Sequence, residues 1–247
     1  MLKQIVAVIP ARYQSTRFPG KPLAMIGNKA MIERVYELAL KVKIFTNVIV
    51  ATDDVRIFDF CTAKNIHVQL TSVSHLNGTT RCFEVADYLA LGHDDIVVNV
   101  QGDEPFVSPE QIKLLLSCFD TSGTQIASLC KIIDEDIENA NTVKVVRNNK
   151  SEALYFSRSV IPYKREPDFN AAYYKHIGLY AYRFDVLKEI VCLPESELEK
   201  SEKLEQLRWL ENGFKIKLKE TKEETLSVDT PEDLLDAILF AERFDKQ

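Results

Sequence analysis

The chain is poor in the residues that usually hold transition metals. It has four histidines and five cysteines, with no C-x-x-C and no metal-ligand spacing between the two residue types, which argues against a structural zinc module. Cys61, Cys82, Cys118, Cys130 and Cys192 are odd in number and widely spaced. They read as small core hydrophobes in a reducing, cytoplasmic compartment rather than as a disulfide framework. No apolar run approaches the ~20 residues of a membrane span. The opening Met1-Leu2-Lys3-Gln4 enters a strand directly, without a signal peptide's apolar region, so membrane insertion is not expected. Basic charge is not in excess: 31 Lys and Arg face 37 Asp and Glu, which argues against a nonspecific nucleic-acid binder. Repeats, low-complexity tracts and linkers are missing, so residues 1–247 read as one domain.

Two common phosphate signatures are missing as well. No G-x-G-x-x-G follows a strand, which removes the dinucleotide fingerprint. Gly20-Lys21 superficially matches the end of a Walker A loop, but Pro22 replaces the Ser/Thr and no glycine lies five residues before Gly20. What the chain does have is a strand, Ile5 to Ile9, followed by a long loop, Pro10 to Pro22. Pro10 has no N–H and is expected to end the ladder. Arg12, Arg17 and Lys21 place three cations within ten residues, and Ser15 and Thr16 add neutral donors. Such a loop can simply be solvated. Pro19, Gly20 and Pro22 nevertheless give it a defined shape, and cations with donors at a strand's carboxyl end suit a polyphosphate.

Beyond the loop, apolar residues recur at helical spacing over 31–42, strands are expected at 48–51 and 67–70, and Thr52-Asp53-Asp54 supplies N-cap chemistry for a helix through Cys61. Alternation of strand and helix predicts a mostly parallel α/β sheet covered on both faces. Ile96 to Val100 is apolar and β-branched, as a central strand would be, and Gln101-Gly102-Asp103-Glu104-Pro105 follows it. Ser108 and Pro109 then start a helix, with Gln111 closing a capping box. Strands are expected at 124–132, 143–147 and 153–157. In a further strand around 175–182, His176 and Tyr180 share a face. One helix is expected over 202–213, with Leu204, Leu207, Trp209 and Leu210 inward, and an alternating strand over 214–218. Asp229 precedes a helix capped by Thr230, with Pro231 first and Asp233 third. Asp103 and Asp229 both follow strand-like runs, so the shared carboxyl edge of a parallel sheet would let them converge.

Pro10-Ala11-Arg12, Ser15, Arg17 and Pro19-Gly20-Lys21-Pro22 resemble the nucleotide loop of the sugar-acid cytidylyltransferases, in particular those acting on 3-deoxy-manno-octulosonate (Kdo). Gln101 to Pro105, the strand Lys175-His176-Ile177-Gly178-Leu179-Tyr180 and Leu204-Glu205-Gln206-Leu207-Arg208 extend the resemblance over nearly the whole chain. Asn77-Gly78-Thr79-Thr80-Arg81 matches the family's S-G-T-[D/E]-R stretch beside the base, except that Asn77 stands for Ser and Thr80 for the acid. Without the resemblance, Thr79 reads as a helix cap, Arg81 as a surface residue and His176 as an ordinary strand-face histidine.

The resemblance implies a Rossmann-like nucleotidyltransferase sheet with a smaller sugar-binding and dimerisation subdomain at about 143–200. It implies transfer of CMP from CTP to Kdo with release of pyrophosphate, activating the sugar for lipopolysaccharide biosynthesis. Kdo, its 8-amino form and a sialic acid stay open as acceptors. Arg12, Ser15, Arg17, Lys21, Gly78, Thr79 and Arg81 are implied for the nucleotide, with Arg12, Lys21, Asp103 and Asp229 catalytic. Asp103 and Asp229 are implied to hold Mg²⁺. Gln101, His176, Tyr180, Glu205 and Gln206 are implied for the sugar acid, and a homodimer is expected.

Overall fold

The computed structural model describes residues 3–244 apart from 16, 167 and 225, so Thr16 lies outside the described residues. A single sheet carries the chain. Strands β1 (Ile5–Ala11), β4 (Asn47–Thr52), β5 (Val68–Leu70) and β6 (Ile96–Asn99) run parallel, in the order β5-β4-β1-β6. Beyond β6 lies β10 (Tyr173–Arg183), antiparallel to it, then β7 (Ile126–Ile133) and β11 (Ile216–Glu220), which are parallel to each other. A side ribbon of β8 (Lys144–Arg147) and β9 (Ala153–Ser157) joins β10 through the Lys175–Lys144 pair. The small hairpin of β2 (Met25–Ile26) and β3 (Lys29–Ala30) leads into the first helix.

Alternation along β1 feeds two cores. Ala7 and Ile9 pack with Ile32, Val35 and Leu38 of α1 (Met31–Leu40), Ile57 and Cys61 of α2 (Val55–Ala63), and Ile112 and Leu115 of α4 (Pro109–Leu116). Val6 and Val8 pack with Cys82, Val85 and Ala86 of α3 (Gly78–Tyr88), Leu187 and Ile190 of α5 (Phe184–Ile190), and Leu207 and Trp209 of α7 (Gln206–Glu211). Burying side chains of this size contributes ~1.5–3 kcal/mol each, so the two-faced sheet is the rigid base of the molecule.

Four sequence expectations change. The β1 ladder does not stop at Pro10, which lies opposite Ala51, while Ala11 lies opposite Thr52. The backbone groups of Val8 face β6, as the bond from Val100 N to Val8 O shows, and those of Pro10 face the same way. The missing N–H therefore points past the end of β6, and the β4 side is untouched. The helix expected over 202–213 is broken: α6 (Glu197–Glu202) ends at Lys203, whose φ of 53° is left-handed, and α7 starts afresh. The cap of α3 is Asn77, not Thr79, with Asn77 Oδ1 accepting from Thr80 N at 2.9 Å. Asp229 does not end a sheet strand. β11 stops at Glu220 on the far edge, and an irregular segment crosses back to α8 (Pro231–Phe244).

The β10 strand carries a bulge. Ile177 lies opposite Leu129, but Tyr180 lies opposite Ser128, so two extra residues are accommodated. An even insertion leaves the faces unswapped. His176 and Tyr180 accordingly stay on one side, ring centroids 5.2 Å apart, while Ile177 and Leu179 enter the other core. Ser128 Oγ fills the bulge by donating toward the carbonyls of Ile177 at 3.1 Å and Leu179 at 3.0 Å.

Candidate active site

The loop after β1 is closed on itself. The backbone N–H of Gly20 donates to Tyr13 O at 2.8 Å, and Gly20 takes a φ of 74°, which a side chain rarely adopts. Pro22, buried, then sets a short 3-10 turn over Lys21–Leu23. The loop forms one wall of a cleft of about 400 Å³ that Pro10, Arg12, Ser15, Arg17 and Lys21 line together with Gly78, Gln101, Gly102 and Asp103. Gly102 permits the opposite wall. A Cβ there would lie 2.7 Å from the carbonyl oxygen of Pro10, so the turn after β6 approaches β1 closer than any side chain allows.

At Lys21 of this lining the two aspartates meet. Lys21 Nζ donates to Asp103 Oδ2 at 2.8 Å and to Asp229 Oδ1 at 3.1 Å, and Arg17 pairs with Asp229 Oδ2 at 3.1 Å. Asp229 is presented by the predicted cap of α8: Asp233 Oδ2 accepts from Asp229 N and Thr230 N, and Thr230 Oγ1 accepts from Asp233 N. The donor set suits magnesium. Two hard carboxylate oxygens already converge on one cationic atom, and a few waters and phosphate oxygens complete such a shell.

The other expected residues fall into two groups. Gly78 lines the cleft, but the Arg81 side chain is fully buried and donates to Asp53 Oδ2 at 3.0 Å and to Thr71. Thr79 Oγ1 donates to Glu205 Oε2 at 2.8 Å. Gln101 Nε2 donates to the carbonyl of Gly178 at 3.2 Å, tying the turn after β6 to the β10 bulge. The His176 ring lies edge-on to Phe156 with its Nε2 3.1 Å from Ser128 Oγ. Gln206 is buried at the first position of α7. The Tyr180 hydroxyl is buried without a hydrogen-bond partner among the described residues. A larger cleft of about 620 Å³ shares no lining residue with the first and holds neither Lys21 nor Asp103.

A family model described as Cytidylyltransferase matches residues 6–219. A 3-deoxy-manno-octulosonate cytidylyltransferase of Parabacteroides distasonis is 51% identical over 97% of this chain and 98% of its own. The chain belongs to this cytidylyltransferase family. A relative of the same name from Thermodesulfovibrio yellowstonii is 46% identical over 93% of this chain and 94% of its own. A CMP:2-keto-3-deoxy-manno-octonic acid synthetase solved in complex with CTP superposes with a TM-score of 0.92 at 42% identity, covering 98% of this chain and 100% of that one. The 4-diphosphocytidyl-2C-methyl-D-erythritol synthase of Anaerococcus prevotii, at 15% identity and a TM-score of 0.64 over 98% of this chain and 99% of that one, shares the fold.

Burial shifts three of the expected site residues. Glu205 is pushed up to about 7 by desolvation, against the lowering effect of its bond from Thr79. His176 is lowered to about 3 by desolvation, so its ring is neutral at pH 7. Desolvation also lowers Arg12, with the nearby Arg81 adding to it.

Two residues were missed by sequence reasoning. Asn77 caps α3 through Oδ1 and also donates from Nδ2 to Glu205 Oε1 at 2.7 Å, one amide serving both elements. Its place just before a glycine at a helix start was the available signal. Ser128 had none, because its role arises only from the bulge opposite it.

Proposed function

We propose that this cytidylyltransferase transfers CMP from CTP to Kdo, uses Mg²⁺ held by Asp103 and Asp229, and works as a cytoplasmic homodimer. The observation that carries the reading is the convergence of these two carboxylates on one cationic point beside a cleft lined by Arg12, Arg17 and Lys21. When bound, the magnesium ion supplies charge neutralisation on phosphoryl oxygens and lowers the pKa of a hydroxyl.

Arg12, Ser15, Arg17 and Lys21 grip the triphosphate, and the glycine-lined wall at Gly78 and Gly102 lets the nucleotide lie against backbone. The anomeric hydroxyl of the sugar attacks the α-phosphorus and gives up its proton to water. The bond from that phosphorus to the bridging oxygen breaks, and pyrophosphate leaves in line, its growing charge offset by the loop cations. Gln101, His176, Tyr180, Glu205 and Gln206 orient the acceptor. Neutral His176 and the unpartnered Tyr180 hydroxyl suit hydroxyl groups rather than a carboxylate. Among the described residues no helix is long and apolar enough to cross a membrane.

A pyrophosphate-release screen tests this. CTP should be used in preference to UTP, GTP and ATP, and Kdo in preference to 8-amino-Kdo and sialic acid. EDTA should abolish turnover and Mg²⁺ restore it. Preference for another sugar acid overturns the acceptor assignment, and full activity in EDTA overturns the metal.

A further inference from the structure

Lys21 stands where the metal ion would have to bind. Its ammonium touches one oxygen of each aspartate, and its side chain is 12% exposed, against 32% for Asp103 and 41% for Asp229. The remaining oxygen of Asp229 is taken by Arg17. The knot of two cations and two carboxylates is thus electrically closed before any ligand arrives. Mg²⁺ demands oxygens at ~2.0–2.1 Å. An ion that close to the two oxygens an ammonium holds at 2.8 and 3.1 Å would crowd that ammonium, and like-charge repulsion opposes both cations holding the pair together.

We infer that Lys21 is the resident cation of the Asp103–Asp229 pair, and that metal entry and transfer of its ammonium to the triphosphate are one exchange. The inference rests on the magnesium reading above. The geometry makes the exchange local. Gly20 and the buried Pro22 pin the backbone on either side, and Lys21 already lines the cleft, so rotation of its flexible four-carbon stem is enough. Without nucleotide, a metal ion must displace the ammonium into the cleft without an anion to receive it. With CTP present, phosphate oxygens receive it. Metal and nucleotide therefore bind cooperatively, each raising the affinity of the other by the same factor. On this account Lys21 both holds phosphate and prevents the bare aspartate pair from trapping a divalent ion.

The exchange is visible without turnover. Acylation of Lys21 by an amine reagent, followed by peptide mass spectrometry on the full chain, should be slow in the free protein. It should become several-fold faster with saturating Mg²⁺ alone and slow again with Mg²⁺ and CTP. In parallel, Mn²⁺ binding by electron paramagnetic resonance, without nucleotide, should tighten by at least about tenfold in Lys21→Met. Unchanged acylation of Lys21 while Mn²⁺ is demonstrably bound, or unchanged Mn²⁺ affinity in Lys21→Met, overturns the exchange and leaves the magnesium reading standing. If Asp103→Asn does not weaken Mn²⁺ binding either, the ion sits elsewhere, and both readings fall together.

Discussion

The backbone N–H of Val228 donates to the carbonyl oxygen of Asp103 at 2.9 Å. That bond fastens the irregular segment before α8 to the turn after β6. Val228 itself is fully buried against Ile26, Met31 and Phe106, so the junction is also packed. Two carboxylates from distant parts of the sequence come within reach of one ammonium because this crossing is held at backbone level.

The first expectation concerns that pair. Asp103→Asn and Asp229→Asn should each lower turnover by orders of magnitude, at ~1.4 kcal/mol of lost transition-state stabilisation per tenfold. Because the two would act on a common ion, the double variant should be little worse than the poorer single one. Steady-state kinetics with folding monitored by circular dichroism decides it. Fully additive losses would mean that the aspartates act separately.

Gly102→Ala should damage activity and stability together. The added methyl would lie 2.7 Å from a backbone oxygen that cannot rotate away, so the turn carrying Asp103 must move. Overpacking of this kind costs ~1–3 kcal/mol. Chemical denaturation should show that loss, with a larger fall in turnover because Asp103 shifts with the turn. A fully stable, fully active variant would show that the contact relaxes at no cost.

Glu205 should make stability depend on pH. Its carboxyl, ordinarily near 4.5, rises to about 7 through burial. Between those values the folded chain holds a proton that the unfolded chain has lost. Stability from this group is therefore complete below about 4.5 and declines as pH rises through about 7. Urea denaturation of the wild type and Glu205→Gln across pH 5 to 8 should show a downward slope in the difference, at most ~1.4 kcal/mol per pH unit. Parallel curves would place the Glu205 carboxyl at its ordinary value.

Assembly should run through β9. Among the described residues the strand pairs only with β8 along its ladder, and Leu154 is 59% exposed on it. The strand lies in the stretch 143–200 that the family resemblance implies for dimerisation; Phe156 turns inward against His176, and Leu154 faces out. Sedimentation should give a dimer at micromolar concentration, and Leu154→Glu should shift it toward monomer. A monomeric wild type would remove the claim.

Much of the architecture was legible in local pattern. Ser108, Pro109 and Gln111 announced the start of α4, and Thr230, Pro231 and Asp233 that of α8, because a capping box is completed within four residues. The continuous apolar runs of β1 and β6 announced a sheet buried on both faces. The cationic loop was visible as Arg12, Arg17 and Lys21 around a Pro-Gly turn.

The partners of those residues were not legible. The break at Lys203 contradicts a helix that its own periodicity supports, and the tie of Asn77 to Glu205 joins elements far apart in the chain. Asp229 was expected at a strand end, yet it reaches the site on an irregular crossing held by the Val228–Asp103 bond. The sequence by itself determined which segments are helix, strand and cationic loop, since propensity, capping and burial period act over a few neighbouring residues. Only the tertiary structure decided that Lys21 lies between Asp103 and Asp229 and that Ser128 fills a bulge opposite it. Those contacts depend on the relative placement of strands and crossings, which long-range packing sets and no local pattern encodes.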